Sequence, residues 1–210
     1  MTLRRNSVPL LAAGLIGYPI GILAYWLLSP AFGLLDSAAI VNAHTGHQTL
    51  ATIANAFALT GCLLAIPATL AAMLVIGDRS PKLAVIGGAM SILGWFSVFG
   101  TLILDPVAVQ MVANGPPPKE FVDLFTRLSN NPTIVALNIL AAFHLIGGIV
   151  LGVAFWRTRV VPRWAAVILI IGGPIHFASN IAGILAVDSL TWIALVAANV
   201  PILRALRSTV

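Results

Sequence analysis

The sequence predicts an all-α integral membrane protein, a single domain over residues 1–210 built as a bundle of six transmembrane helices. Three observations carry this. The first is composition. Of 210 residues, 60% are hydrophobic and 8% are charged, and the mean hydropathy is +1.04. A soluble domain carries roughly 25% charged residues, so this chain lacks the polar surface to cover a water-soluble globule. The second is six apolar runs, at 8–28, 48–76, 83–104, 133–156, 164–186 and 189–206. Each suits a hydrocarbon layer ~30 Å thick at ~1.5 Å rise per residue. Helices are required there because lipid offers no partner to an open backbone group.

The third observation is the placement of charge. With the N-terminus inside, the inner segments hold Arg4, Arg5, Arg79, Lys82, Arg157, Arg159, Arg163, Arg204 and Arg207. The outer segments hold only Lys119 and Arg127 among the basic residues, and five acids, Asp36, Asp105, Glu120, Asp123 and Asp188. This is the positive-inside pattern with both termini cytoplasmic, in a multi-pass protein of the cell membrane. The model makes a direct prediction. On a Cys62→Ala background, single cysteines at Ser80 and Thr158 are expected to resist an impermeant thiol reagent added outside, and one at Asn114 to react. Strong outside labelling at position 158 would overturn the topology.

The elements follow in order. Arg4 and Arg5 precede the run 8–28, which is longer than the ~7–15 residues of a signal-peptide apolar region and reads as a retained first span. Gly14, Gly17, Tyr18, Gly21 and Tyr25 share one face of it. The second span opens with Gln48, Thr52 and Asn55 at helical spacing and holds the lone Cys62, which excludes an internal disulfide. The third span carries Trp95 at its middle. Within the connection 105–131, Phe121, Leu124, Phe125 and Leu128 recur at i, i+3, i+4 and i+7 against Lys119, Glu120, Asp123 and Arg127. That pattern predicts a short amphipathic helix on the outer membrane surface. Asn131-Pro132 supplies a cap and a first-turn proline for the fourth span, where His144, Gly148 and Gly152 repeat every four residues. The fifth span shows a stripe of Gly172, Gly173, His176, Ser179, Asn180 and Gly183, with a kinking Pro174. Only Val187 and Asp188 separate it from the sixth, for which Asp188 and Ser189 read as the cap. Shared Ile-Gly-Gly motifs (86–88 and 171–173) suggest that spans two-three and four-five are parallel copies.

Function is less constrained. The basic residues lie in short clusters between spans, which argues against nucleic acid as a partner. There is no Gly-x-Ser-x-Gly, no His-Glu-x-x-His and no glutamate pair. The span interiors read as free of Asp, Glu, Lys and Arg, which argues against a carboxylate proton relay or a charged pore. His44 and His47 have the spacing to bind a metal with Asp36 or another outer acid, but they read as incidental loop histidines and no metal is expected. His144 and His176 both fall near the midplane by depth, so the polar residues outline a cavity open toward the outer leaflet. The preferred reading is binding or conversion of a small lipid- or isoprenoid-like molecule there. Conversion would be acid–base isomerisation or cyclisation. Asp105 or Asp188 would supply a proton from the outer rim, His176 would accept one beside Asn180, and Trp95, Phe96 and Phe143 would steady positive charge. His144, Ser179 and Asn55 complete the expected lining, with no cofactor. The alternatives are haem b held between His144 and His176, and a non-catalytic subunit whose glycine faces bind partner helices or another copy of the chain.

Overall fold

The computed structural model describes residues 7–208, so Arg4 and Arg5 lie outside the described residues. Its elements are α1 (Val8–Leu28), α2 (Ser37–Ala43), α3 (Gln48–Gly77), α4 (Pro81–Thr101), α5 (Leu104–Met111), α6 (Lys119–Ser129), α7 (Pro132–Thr158), α8 (Arg163–Ile181) and α9 (Leu185–Ser208), with no strand among the described residues. Six are long and apolar enough to cross a membrane: α1, α3, the α4–α5 segment, α7, α8 and α9. The all-α membrane bundle is thus what the chain builds. Each long helix packs on the one before and after it in sequence, and α1 packs on α9, so the six close into a ring.

Glycine decides which helices come closest. On α1, a Cβ added to Gly14 or Gly21 would collide with the α3 backbone at Leu64–Ala68 or Phe57–Gly61. On α4 and α7, one added to Gly94 would fall on the His144 backbone, and one added to Gly147 on the backbone of Ser91 and Gly87. Small residues here let main chains touch, which is how helices associate where lipid removes the hydrophobic drive. The tightest pairs are therefore spans one-two and three-four. Even so, the two Ile-Gly-Gly motifs play matching parts. Gly87 and Gly172 face the following long helix (Leu151, Leu195), and Gly88 and Gly173 face the preceding one (Met73, Leu145).

Prolines sit inside α1, α3, α8 and α9. Each frees the carbonyl four residues earlier, which lipid cannot satisfy. For Pro19 the remedy is visible: the Asn199 side-chain amide on α9 donates to the Leu15 carbonyl at 2.7 Å. This single bond ties the first span to the last.

Several sequence expectations need correction at the outer side. The connection 29–47 holds α2, and α4 continues after a turn at Leu102–Ile103 into α5. The amphipathic helix is present as α6, but its face is divided. Phe125 is buried with Val41 of α2, Ala108 of α5 and Val112 just after it, while Phe121 and Leu124 remain exposed. It docks on protein as well as facing outward. Asn131 caps α7 as expected, accepting from the Thr133 N–H at 2.9 Å.

The fifth and sixth spans join earlier than expected. The Gly183 N–H donates to the Asn180 carbonyl and the Ile184 N–H to the Ser179 carbonyl, with Gly183 at φ +67°. This is a glycine-terminated helix end. Gly33, also left-handed at +72°, lies so close to Gly183 that a Cβ on Gly33 would fall on the Gly183 backbone. Asp188 and Ser189 are consequently not a cap: Asp188 lies in the first turn of α9.

Candidate functional site

The ring encloses a cavity of about 90 Å³. Its wall has an aromatic arc with an imidazole at each end. His144 lies against Trp95 (ring centroids 4.7 Å apart), Trp95 against Tyr18 (5.8 Å), Tyr18 against Trp192 (6.4 Å) and Trp192 against His176 (4.9 Å). All five line the cavity. The arc follows from local packing. Gly94 brings the α7 backbone onto α4 at His144, and the next residue, Trp95, meets the imidazole. The α8–α9 turn folds Trp192 back to His176. Below the arc the wall runs inward through Thr69, Leu151, Phe155, Asn199 and Ile202. The cavity therefore extends from the arc toward the inner half of the bundle, not toward the outer leaflet as the sequence suggested.

His176 is a member of a buried dyad. Its Nδ1 is 2.6 Å from Asp188 Oδ1, and the Ser179 hydroxyl donates to the same oxygen at 3.2 Å. Asp188 is 0% exposed and the His176 side chain 14%. An acid expected at the solvated rim is thus wholly enclosed behind His176, and the expectation of spans free of acids is wrong at this residue. The helix end at Gly183 causes it, because α9 begins early enough to place Asp188 on its inward face. His176 is also only five residues from the end of α8, about 8 Å, and so nearer the outer side than the midplane.

A carboxylate accepting at Nδ1 fixes which ring nitrogen holds the proton, and His176 itself lines the cavity. His144 is pinned in the same way, donating from Nδ1 to the Ala141 carbonyl one turn earlier. Around the dyad, polar atoms are buried without a partner among the described residues: Asp188 Oδ2, Ser189 Oγ, Asn180 Nδ2, and the indole nitrogens of Trp26 and Trp192. Trp26 contacts the His176 ring at 6.0 Å. Each such atom costs on the order of 1–3 kcal/mol, so a cluster of them marks a place where folding alone does not set the side chains.

The remaining expected residues are elsewhere. Asp105 accepts a 2.6 Å hydrogen bond from the Tyr25 hydroxyl and does not line the cavity, so it is not placed to supply a proton there. Asn55 is buried with an unpartnered Nδ2, also away from the cavity. Asn180 and Ser179 flank the dyad behind the wall. Phe96 is 57% exposed on the outside of the bundle. His44 is buried and bonded to the Ile40 carbonyl, Asp36 caps α2, and no group of three metal-ligating side chains forms among the described residues. The histidine pair does not fit haem either, because the cavity of about 90 Å³ is well below the ~300–1,000 Å³ of pockets that enclose far smaller drug-sized ligands. Tyr18, on the glycine face of the first span, lines the cavity. Sequence reasoning missed Trp192, Thr69 and Asn199 as lining residues; Trp192 was legible as an aromatic, but which helix faces met was not.

Residues 11–206 match the model of a protein family described as Domain of unknown function (DUF4386), and the chain belongs to that family. No curated protein and no solved structure matches it.

Proposed function

We propose that the protein binds a small hydrophobic molecule in the cell membrane, with the molecule's polar end in the central cavity and the His176–Asp188 dyad as the group that meets it. The observation carrying this is the dyad itself, an imidazole backed by an enclosed carboxylate at the wall of an intramembrane cavity and ringed by unsatisfied polar atoms. Intramembrane ionisable residues are costly and are retained where they serve a site. The volume argues for a head group rather than a whole lipid, since pockets enclosing drug-sized ligands run to ~300–1,000 Å³. An isoprenoid or other chain would extend beyond the cavity along apolar helix surfaces.

Conversion of the molecule is the secondary reading. A neutral His176 held by Asp188 is a competent proton acceptor, as isomerisation or cyclisation requires. No carboxylic acid lines the cavity to act opposite it, so binding is favoured over catalysis. The subunit reading is weaker still, because the glycines of α1, α4 and α7 that form close contacts use them inside the bundle.

Two variants test the binding reading. At Gly173, an added Cβ meets only the Leu145 side chain closer than 3.5 Å, and the residue lines the cavity. Gly173→Leu is expected to fill the site and abolish a co-purifying ligand seen by native mass spectrometry, while lowering the melting temperature by no more than a few degrees. His176→Gln is expected to deplete the ligand as well. Retention of full ligand in folded Gly173→Leu protein would place the ligand elsewhere and end the proposal.

A further inference from the structure

We infer that the molecule this cavity takes is a lipophilic organic cation, an ammonium group on an alkyl body; the inference rests on the binding reading above and specifies the chemistry of its ligand. Three features of the wall converge on positive charge.

The first is the aromatic arc. Trp95, Tyr18 and Trp192 line one continuous stretch of wall. Indole and phenol faces attract a cation within about 6 Å of the ring centre, and more strongly where water is excluded.

The second is the charge balance. No Lys or Arg lines the cavity, and the carboxylate beside it, Asp188, is 0% exposed and faces only His176 as a partner able to carry positive charge. An enclosed carboxylate is costly without a partner, and a cation in the cavity would add its attraction to the hydrogen bond that His176 already offers Asp188.

The third is the polarity of the hydrogen-bonding groups. The Thr69 hydroxyl donates to the Ala65 carbonyl, the Asn199 amide to the Leu15 carbonyl, and His144 Nδ1 to the Ala141 carbonyl. These groups spend donors on backbone and retain lone pairs: Thr69 Oγ1, Asn199 Oδ1 and His144 Nε2. These lone pairs can face an ammonium, on a wall that also carries the unpartnered Trp192 Nε1–H. The volume of about 90 Å³ suits a small head group of this kind, with its chain outside the cavity.

The test uses the full chain purified in maltoside detergent, because phosphatidylcholine carries an ammonium of its own. The probes are dodecyltrimethylammonium below its micellar concentration and its neutral carbon isostere, with C(CH₃)₃ in place of N(CH₃)₃⁺. Tryptophan fluorescence and melting temperature report binding. The ammonium is expected to bind saturably, at least tenfold more tightly than the isostere, and Asp188→Asn and Trp95→Leu are each expected to reduce that preference by fivefold or more. Equal binding of the two probes overturns the cation inference and leaves the hydrophobic-ligand reading standing. Binding of neither overturns both. An ammonium preference that survives both substitutions in folded protein means binding outside the cavity and also overturns it.

Discussion

Gly94→Val is expected to prevent the protein from reaching a monodisperse, cooperatively melting state in detergent. The added carbon would fall on the His144 backbone, and backbone cannot rotate away as a side chain can. Overpacking of a well-packed site costs about 1–3 kcal/mol; a collision with main chain belongs at or above the top of that range, because α4 and α7 must separate along their length. Gly148→Ala on the same α7 is the control. Only the Leu169 carbonyl lies within 4 Å of its added Cβ, at 3.9 Å, so its melting temperature is expected to stay within a few degrees of the parent. If Gly94→Val melts like Gly148→Ala, the two helices do not meet as described. The same contact builds the site, since moving α7 outward also lifts His144 off Trp95.

The second large effect is an asymmetry within the dyad. His176→Leu leaves Asp188 enclosed without the imidazole it faces, and breaking a buried pair so that a carboxylate is left behind costs about 3–5 kcal/mol. Asp188→Leu instead leaves a neutral imidazole lacking one acceptor, which costs about 1–3 kcal/mol. The double variant, with two apolar side chains in contact, is expected to be more stable than His176→Leu alone. Chemical denaturation of the three variants measures this as a coupling energy. Additive losses would show that the 2.6 Å contact carries no energy of its own.

The membrane class, the six spans and the cap at Asn131 were legible because each depends on residues close in sequence. The α8–α9 junction was misread for a physical reason. Gly183 was counted as part of a small-residue stripe, although a glycine after a helical run is also the commonest helix terminator. Taking the second meaning starts α9 at Leu185 and turns Asp188 from a rim acid into an enclosed one. His176, His144 and Trp95 were identifiable as polar or aromatic residues inside apolar spans. Trp192 was not selected, because membership of the arc depends on which faces of α1, α4 and α9 meet, a long-range outcome that periodicity within one helix does not contain. Likewise Asp105 was assigned to the site by depth, but its lateral position placed it beside Tyr25 instead.

The ring order also governs how the protein is made. Chains emerge N-terminus first and begin folding before synthesis ends. The contacts α1–α3, α3–α4, α4–α7 and α7–α8 join neighbours in sequence and can form in turn. Closure waits for α9, which brings Asp188 to His176, Trp192 to the arc and Asn199 to the carbonyl opened by Pro19. Until α9 leaves the ribosome, the nascent protein holds an unsatisfied kink in α1 and an incomplete cavity wall. Helix α9 is therefore the keystone of assembly and the step that completes the cavity wall, so a ribosome stalled before α9 presents the membrane with a ring still open.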